Sequence, residues 1–380
     1  MADRAFRIGL PRMRLEPGER RDFLPAFVAQ LERHGALVYL EDGCGAGMGL
    51  KPEDYTRVAP RARFVSHAAA FEQDYVLILR CPHDEELRMM RPGACLLSML
   101  HYPTRPRRTE LVRSLGLEAI SLDSIKDDTG RRLVENLRAV AWNGLEAAFK
   151  TLRSIYPSPG FDSPQRPPLR VTLLGAGAVG MFVMQAATRY GNDRLRAELA
   201  GRGVPGVRVT TVDYDLTAHA AVMRELLSDT DILVDATQRP DPSRPVIPNT
   251  WLAHLPPHAV LLDLSVDPYD CAARPAFVKG IEGIPQGNLD QYVFAPDDIA
   301  YEQLPACIDT RQRRYAVSCY SWPGVYPKPC MEVYGQQLQP IMRTLIERGG
   351  VARINPAGRF FERAIARAQL SRWPSTDKSN

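Results

Sequence analysis

The chain has 380 residues, more than a single hydrophobic core organises, so two domains are expected. Apolar residues make up 45% and charged residues 24%, an ordinary globular mix, and a net charge of +4 without an isolated Lys/Arg block argues against a nucleic-acid footprint. No apolar run reaches the roughly 18 residues of a membrane span, and the charges in Met1–Arg7 do not fit a secretory leader, so a reducing cytoplasm is the default expectation.

In chain order, Phe6–Leu10 reads as a strand, Pro11–Glu19 as a loop and 25–34 as a helix stopped by Gly35, with a second strand at Leu37–Leu40. The rhythm repeats at Tyr75–Leu79, Cys95–Leu100 and Glu118–Leu122. Strands alternating with helices predict a parallel, doubly wound sheet. The turn Asp127-Asp128-Thr129-Gly130 releases a helix expected over 131–155, with Leu133, Leu137, Val140, Leu145, Phe149 and Leu152 at helical spacing. Tyr156–Pro168, rich in Pro, Ser and Gly, reads as a linker. A second apolar series follows at Leu169–Leu174, Val207–Val212, Asp231–Ala236 and Ala259–Leu264. The pattern turns helical again over 330–349, and the polar tail Ser371–Asn380 is expected to be disordered. The seven cysteines are odd in number, widely spaced and without a CxxC pair, which argues against a disulfide framework and a zinc site. The segment Gly280–Pro305 carries no motif; covering a cleft or making an oligomer contact are its two readings.

The strongest local signal is Gly175-Ala176-Gly177-Ala178-Val179-Gly180, entered from an apolar strand and followed by a helical pattern over 181–190. Gly175 permits a tight turn, Gly177 lets backbone approach a pyrophosphate, and Gly180 allows close helix–strand packing. Backbone N–H groups at the start of the helix, including those of Ala178 and Val179, suit phosphate. Asp213 ends the strand Val207–Val212 and would accept from ribose hydroxyls and repel a 2′-phosphate, favouring NAD over NADP. Asp215 competes for that role. The wide spacing from the glycines is assigned to an inserted loop around Gly191–Gly206.

Ligands of doubly wound sheets gather at the carboxyl ends of strands. Thr237 ends one strand, before a polar loop Gln238–Pro245. Asp263 reads as a brace, and Asp267 as either a cap or an acid facing the nicotinamide ribose or a catalytic group. His101 ends another apolar strand just before Tyr102-Pro103; it is either a satisfied histidine or a general acid/base, since imidazole titrates near neutral pH. Arg105, Arg107 and Arg108 form the densest basic cluster, which is either a solvated loop or a site for an acidic group.

Together these residues resemble the alanine dehydrogenase and proton-translocating transhydrogenase superfamily, with saccharopine dehydrogenase and carboxyethylornithine synthase as more distant relatives. The resemblance spans roughly 6–345. It rests on Gly9-Leu10-Pro11 with Glu19-Arg20, Leu79-Arg80-Cys81-Pro82, Met99-Leu100-His101, Asp127–Arg132, Asp263–Asp267 and Ser321-Trp322-Pro323-Gly324-Val325-Tyr326-Pro327-Lys328.

The resemblance implies two Rossmann-like doubly wound domains, the dinucleotide-binding one inserted into the substrate domain. The expected bounds are 1–135 and 323–370 for the substrate domain, 136–322 for the NAD-binding domain and 371–380 for the tail. It implies an NAD-dependent amino-acid dehydrogenase working on an amino-acid or keto-acid substrate as a homo-oligomer. His101 would be the general acid/base, Asp267 would orient His101 or the nicotinamide ribose, and Arg20 would clamp the substrate carboxylate. Ser321 and Trp322 would lie beside the nicotinamide. The sequence departs from the family at Arg80, where alanine dehydrogenase has a lysine; arginine cannot shed its proton and acts as a fixed anion clamp. Met13 and Leu15 also replace charged residues. These departures keep open an opine- or saccharopine-type dehydrogenase condensing a keto acid with an amino acid. A non-catalytic, transhydrogenase-like module has no need of His101.

Overall fold

The computed structural model describes residues 6–373 except Leu15 and Pro240. The chain divides into two compact units, one formed by the residues up to Asn136 and again from Tyr326, the other by Leu137–Val325.

The first unit is built on six strands, β1 (Phe6–Leu10), β2 (Ala36–Glu41), β3 (Arg63–Val65), β4 (Tyr75–Arg80), β5 (Cys95–Met99) and β6 (Glu118–Ser121). They lie in the order β3-β2-β1-β4-β5-β6 and pair in parallel throughout. Parallel strands are covered on both faces, which is why they read as continuous apolar runs. Alternate residues divide accordingly. Ile8, Val38, Leu40, Leu77, Leu79, Leu97 and Ile120 join one core, and Val76, Ile78, Leu96 and Ala119 join the other, beneath Phe71, Leu87 and Val112. The first core is completed from the far end of the chain: the helix Pro327–Arg348 contributes Leu338, Ile341, Met342 and Leu345, and the helix Phe360–Arg367 contributes Ala364 and Ile365. Proline at the first helical position and Gly349 in the left-handed region (φ 72°) bound the longer helix.

The helix expected from 131 begins at Leu137. Lys126 and Arg132 form an antiparallel bridge, the Leu133 N–H donates to the Ile125 carbonyl at 2.9 Å, and Leu133 and Val134 pack into the first unit. The start of the polar tail is ordered: Ser371 and Arg372 belong to the turn Leu370–Arg372, and Trp373 packs its ring against Tyr102; 374–380 lie outside the described residues, as does Leu15.

The second unit holds β7 (Leu169–Leu174), β8 (Val207–Val212), β9 (Ile232–Asp235), β10 (Val260–Asp263), β11 (Val293–Phe294) and β12 (Tyr315–Ser318), in the order β11-β12-β10-β9-β7-β8. Only β11 runs antiparallel. The helix Leu137–Ile155 buries Ala141, Leu145, Ala148 and Phe149 against this sheet. A Cβ at Gly144 would stand 2.5 Å from a methyl of Leu264, so glycine sets the approach. The segment assigned to an inserted loop contains the helix Asp193–Gly201, because the Asn192 side chain accepts from the Arg194 and Leu195 N–H groups and caps it. The excursion between β10 and β12 folds back on its own sheet through β11. Within it Cys271 and Cys307 form a disulfide, a pairing not foreseen where the cysteine spacing argued against a disulfide framework.

A polar cluster anchors the excursion. Asp235 and Asp263 end neighbouring strands and are both buried, and Lys279, equally buried, pairs with Asp263 at 2.8 Å. Burial works to raise the Asp263 pKa, but the charge and hydrogen bond of Lys279 outweigh it and hold it below the ordinary value. Asp235 is pushed up to about 6 by burial and by the charge of Asp263. A carboxyl that holds its proton better folded than unfolded favours the fold fully below about pH 4, and that contribution fades as pH rises through about 6. Replacing Asp235 by Asn should therefore raise the thermal midpoint relative to wild type more at pH 7.5 than at pH 5. Melts at the two pH values check this, and a difference that does not change with pH refutes it.

Candidate functional site

The strand order of the first unit reverses between β1 and β4, and in such sheets ligands are held outside the carboxyl ends at that reversal. Three chain segments converge there. The segment after β1 brings Glu16, Glu19, Arg20 and Arg21, β4 ends at Arg80, and β5 leads through Leu100 to His101.

Arg80 pairs with Glu16. Burial raises the Glu16 carboxyl above its ordinary pKa despite Arg80 and Arg21 nearby. One Glu16 oxygen takes the guanidinium, and the other is buried without a hydrogen-bond partner. Burial also lowers the Arg80 pKa, against the attraction of Glu16, with the positive charge of Arg21 adding to the lowering. Of the two adjacent arginines, Arg20 was expected to be the clamp, but the structure buries Arg21. Its Nε and Nη2 donate to the Glu19 carboxylate at 2.9 and 2.5 Å, and Nη1 faces the Cys330 sulfur at 4.0 Å. Arg20 is exposed, with its backbone N–H on the Glu19 carboxylate at 3.0 Å. Arg105 and Arg107 are exposed and Arg108 half-buried at the start of the helix Pro106–Ser114, and Arg108 is near enough to Arg80 to lower its pKa further.

His101 sits in the left-handed region at φ 50°, a conformation that histidine tolerates better than most residues. Asp123, just beyond β6, holds it there. The His101 N–H donates to Asp123 Oδ1 at 3.1 Å, and ring Nδ1 lies 3.3 Å from Oδ2. The Ser121 hydroxyl also donates to Oδ1, at 2.7 Å, and accepts from the Leu100 N–H at 3.2 Å, so the ends of β5 and β6 are tied together. Burial would raise the Asp123 pKa, but His101 and Ser121 bring it down to about 2. The resemblance gave Asp267 the role of orienting either His101 or the nicotinamide ribose; within the first unit the carboxylate beside the imidazole is Asp123. Its position two residues past an apolar strand, with Ser121 in register, was the signal available.

In the second unit the order reverses between β7 and β9. Gly175 takes φ 94°, and a Cβ there would stand 2.9 Å from the Ala236 carbonyl oxygen. A Cβ at Gly180 would fall 2.3 Å from the Gly175 carbonyl oxygen, whereas one at Gly177 would meet no protein atom within 4 Å. Gly177 precedes the helix Ala178–Ala187, which begins three residues earlier than the pattern suggested. Asp213 follows β8 and is exposed, and Asp215, also exposed, accepts from its neighbour's N–H. The Thr237 N–H and hydroxyl both donate to Asp235, at 3.0 and 2.6 Å.

Asp263 braces its strand end, accepting from the Val266 N–H at 2.9 Å. The carboxylate of Asp267 pairs with Arg239 at 2.7 Å, and its carbonyl accepts from Lys279 at 2.8 Å. Ser321 is buried, with its N–H toward the Cys319 sulfur. Trp322 departs from expectation. Its indole is 1% exposed, donates to the Asp263 carbonyl at 2.9 Å and packs edge-on to Tyr292, so it belongs to the core rather than to a ligand wall. Sequence reasoning also passed over Asp235, Lys279 and Arg239. Asp235 had the same signal as Asp263, an acid closing an apolar strand. Lys279 had none. Among the described residues no cluster has the make-up of a metal site, and no helix is long and apolar enough to cross a membrane.

Residues 10–141 match the family described as alanine dehydrogenase/PNT, N-terminal domain. The chain is 24% identical over 273 residues to the alanine dehydrogenase of Geobacillus stearothermophilus, covering 69% of this chain and 72% of that protein. It is 24% identical over 345 residues to that of Mycobacterium tuberculosis, covering 84% and 86%. A solved L-alanine dehydrogenase superposes with a TM-score of 0.71 at 19% identity, covering 96% of this chain and 94% of its own, a likeness of fold that spans both units. The chain thus carries a segment similar to the N-terminal domain of the alanine dehydrogenase/PNT family, is similar in sequence to alanine dehydrogenases over most of its length, and shares their fold.

Proposed function

We propose that the chain is an NAD-dependent amino-acid dehydrogenase, oxidising a C–N bond of an amino acid or reductively aminating a keto acid in reverse. The observation that carries this reading is the His101–Asp123 pair, set at the end of β5 beside the Arg80 end of β4. Asp123 stays ionised far below neutral pH, so it accepts from Nδ1–H and leaves Nε2 as the nitrogen that takes up and returns a proton. Arg80 and Arg20 supply fixed positive charge for substrate carboxylate, with Arg21 holding Glu19 in place behind them.

The residues of the second unit fit a dinucleotide. Gly175 and Gly180 are required by the protein's own packing, but Gly177 is not, and a side chain there would only crowd what approaches the turn from outside. Gly175, Gly177, Gly180 and the N–H groups of Ala178 and Val179 would hold the pyrophosphate, Asp213 the ribose hydroxyls, and Thr237 and Ser321 the neighbouring strand ends. When bound, the nicotinamide accepts the hydride. Asp213 favours NAD over NADP, because a carboxylate repels a 2′-phosphate. Asp267, held by Arg239, is the acid of this edge that serves the nicotinamide ribose or the reacting centre. A cytoplasmic, homo-oligomeric enzyme belongs to the same reading, although a reducing compartment would open the Cys271–Cys307 bond.

A second reading, reductive condensation of a keto acid with an amino acid, is favoured by Arg80. A permanently charged guanidinium beside Glu16 is a clamp for a further charged group and cannot share proton transfer as a lysine can. A transhydrogenase-like module without organic substrate gives the His101–Asp123 pair nothing to do.

An NAD/NADH absorbance screen across amino acids and keto-acid/amine pairs tests the reading. Turnover with an amino acid alone supports the first form, turnover only with a pair supports the second, and no turnover despite NAD binding refutes both. His101→Ala should lower kcat by roughly 10²–10⁴-fold with NADH affinity kept. Asp123→Asn should lower kcat at least about tenfold with KM little changed, since it removes only the hold on the imidazole. Gly177→Ala should weaken NADH binding without moving the thermal midpoint, whereas Gly180→Ala should cost about 1–3 kcal/mol of stability through its clash with the Gly175 carbonyl. Fluorescence titration and thermal melts of both variants check the contrast.

A further inference from the structure

The excursion between β10 and β12 buries one lysine. Lys279 is fully enclosed, and its ammonium uses all three of its protons. It donates to Asp263 Oδ2 at 2.8 Å, to the Asp267 carbonyl oxygen at 2.8 Å and to Gln286 Oε1. The ring of Tyr269 lies 5.7 Å from the ammonium, and Asp235 packs against the adjoining Gly280.

Between the first two of these partners lies Val266, at φ 60°. A β-branched residue in the left-handed region is strained and stays there only where its surroundings leave no alternative. Here the hold comes from both sides. Upstream, Asp263 Oδ1 accepts from the Val266 N–H at 2.9 Å and from the Ser265 hydroxyl at 3.1 Å. Downstream, the Asp267 carbonyl is bound by the same ammonium that binds the other Asp263 oxygen. The carboxylate, the ammonium and the Asp267 carbonyl thus close a ring around the strained residue. Stability alone is a weak reason for burying such a pair, since apolar residues of similar volume commonly do as well.

We propose that Lys279 is a positioning residue for the reaction: by tying Asp263 to the Asp267 backbone it holds the Val266 turn, and so fixes where the Asp267 carboxylate is presented. The inference rests on the reading of Asp267 as a functional acid. It also gives the excursion a role, because the segment delivers an ammonium to a strand end that the sheet strands themselves leave with two carboxylates and no cation.

The test compares Lys279→Met, Lys279→Met/Asp263→Asn and Asp267→Asn in the full-length protein, measuring thermal midpoint, NADH affinity and kcat against KM. Lys279→Met alone strands a buried carboxylate and should lower the midpoint. The double variant removes that charge and should regain most of the midpoint, yet nothing in it binds the Asp267 carbonyl. Its kcat should stay at least about tenfold below wild type, with KM for the amino acid and NADH affinity within about twofold. Recovery of full kcat together with the midpoint, while Asp267→Asn is impaired, overturns the proposal alone and makes Lys279 purely structural. Full activity in Asp267→Asn overturns the reading beneath it.

Discussion

Parallel strand pairing is the constraint on which this molecule depends. Parallel neighbours cannot be joined by a tight turn, so each needs a crossover, and every strand then delivers its carboxyl end to the same edge of the sheet. Most of the candidate groups follow such an end closely. His101 follows β5, Arg80 closes β4 and Glu16 follows β1 in one unit; Gly175 follows β7, Thr237 follows β9 and Asp267 follows β10 in the other. The short antiparallel strand β11 breaks the rule only at the border of its sheet, where it covers an edge that would otherwise expose unpaired backbone.

The two edges share a device. Each has a non-glycine residue in the left-handed region immediately past a central strand, His101 at φ 50° and Val266 at φ 60°. Each has a buried aspartate that accepts that residue's backbone N–H, Asp123 in the first unit and Asp263 in the second. The carboxylate is in turn kept ionised by a cationic or protic partner, His101 with Ser121 in one case and Lys279 in the other. Backbone strain at functional turns needs such compensation. Here it comes from an acid that also sets the local electrostatics, so conformation and charge at each edge are governed by one side chain.

Much of this was legible in the sequence. The buried strands stood out because both faces must be apolar, and the glycine turn because two of its three glycines are demanded by backbone contacts below 3 Å. What escaped was decided by the tertiary path. Arg20 and Arg21 are adjacent in sequence, and only the course of the loop after β1 determines which one enters the core. Lys279 meets Asp263 across 16 residues of irregular chain, a pairing that no periodicity marks. Trp322 stands at a strand end where a ligand wall is plausible, but Gly144 opens the space beneath it and the ring fills it. The long helix starts later than its composition suggests, because Arg131–Val134 have helical composition while their contacts with Ile125 and the first core draw them away from it.

The discontinuity of the first unit has a consequence for how the protein comes into being. Its six strands are all made before residue 122, but the helix that covers one face begins only at Pro327. During synthesis the second unit, an unbroken stretch from Leu137 to Val325, has everything it needs well before the first does. Ile8, Leu40, Leu77 and Leu97 meanwhile have the early helix Pro25–Arg33 beside them but still lack Leu338, Ile341 and Leu345. Closing so long a loop adds little entropy, because that cost grows only with the logarithm of loop length. The vulnerable interval is therefore one of time: a nascent chain carries an incompletely covered apolar sheet through most of its translation, the period when chaperone cover matters most.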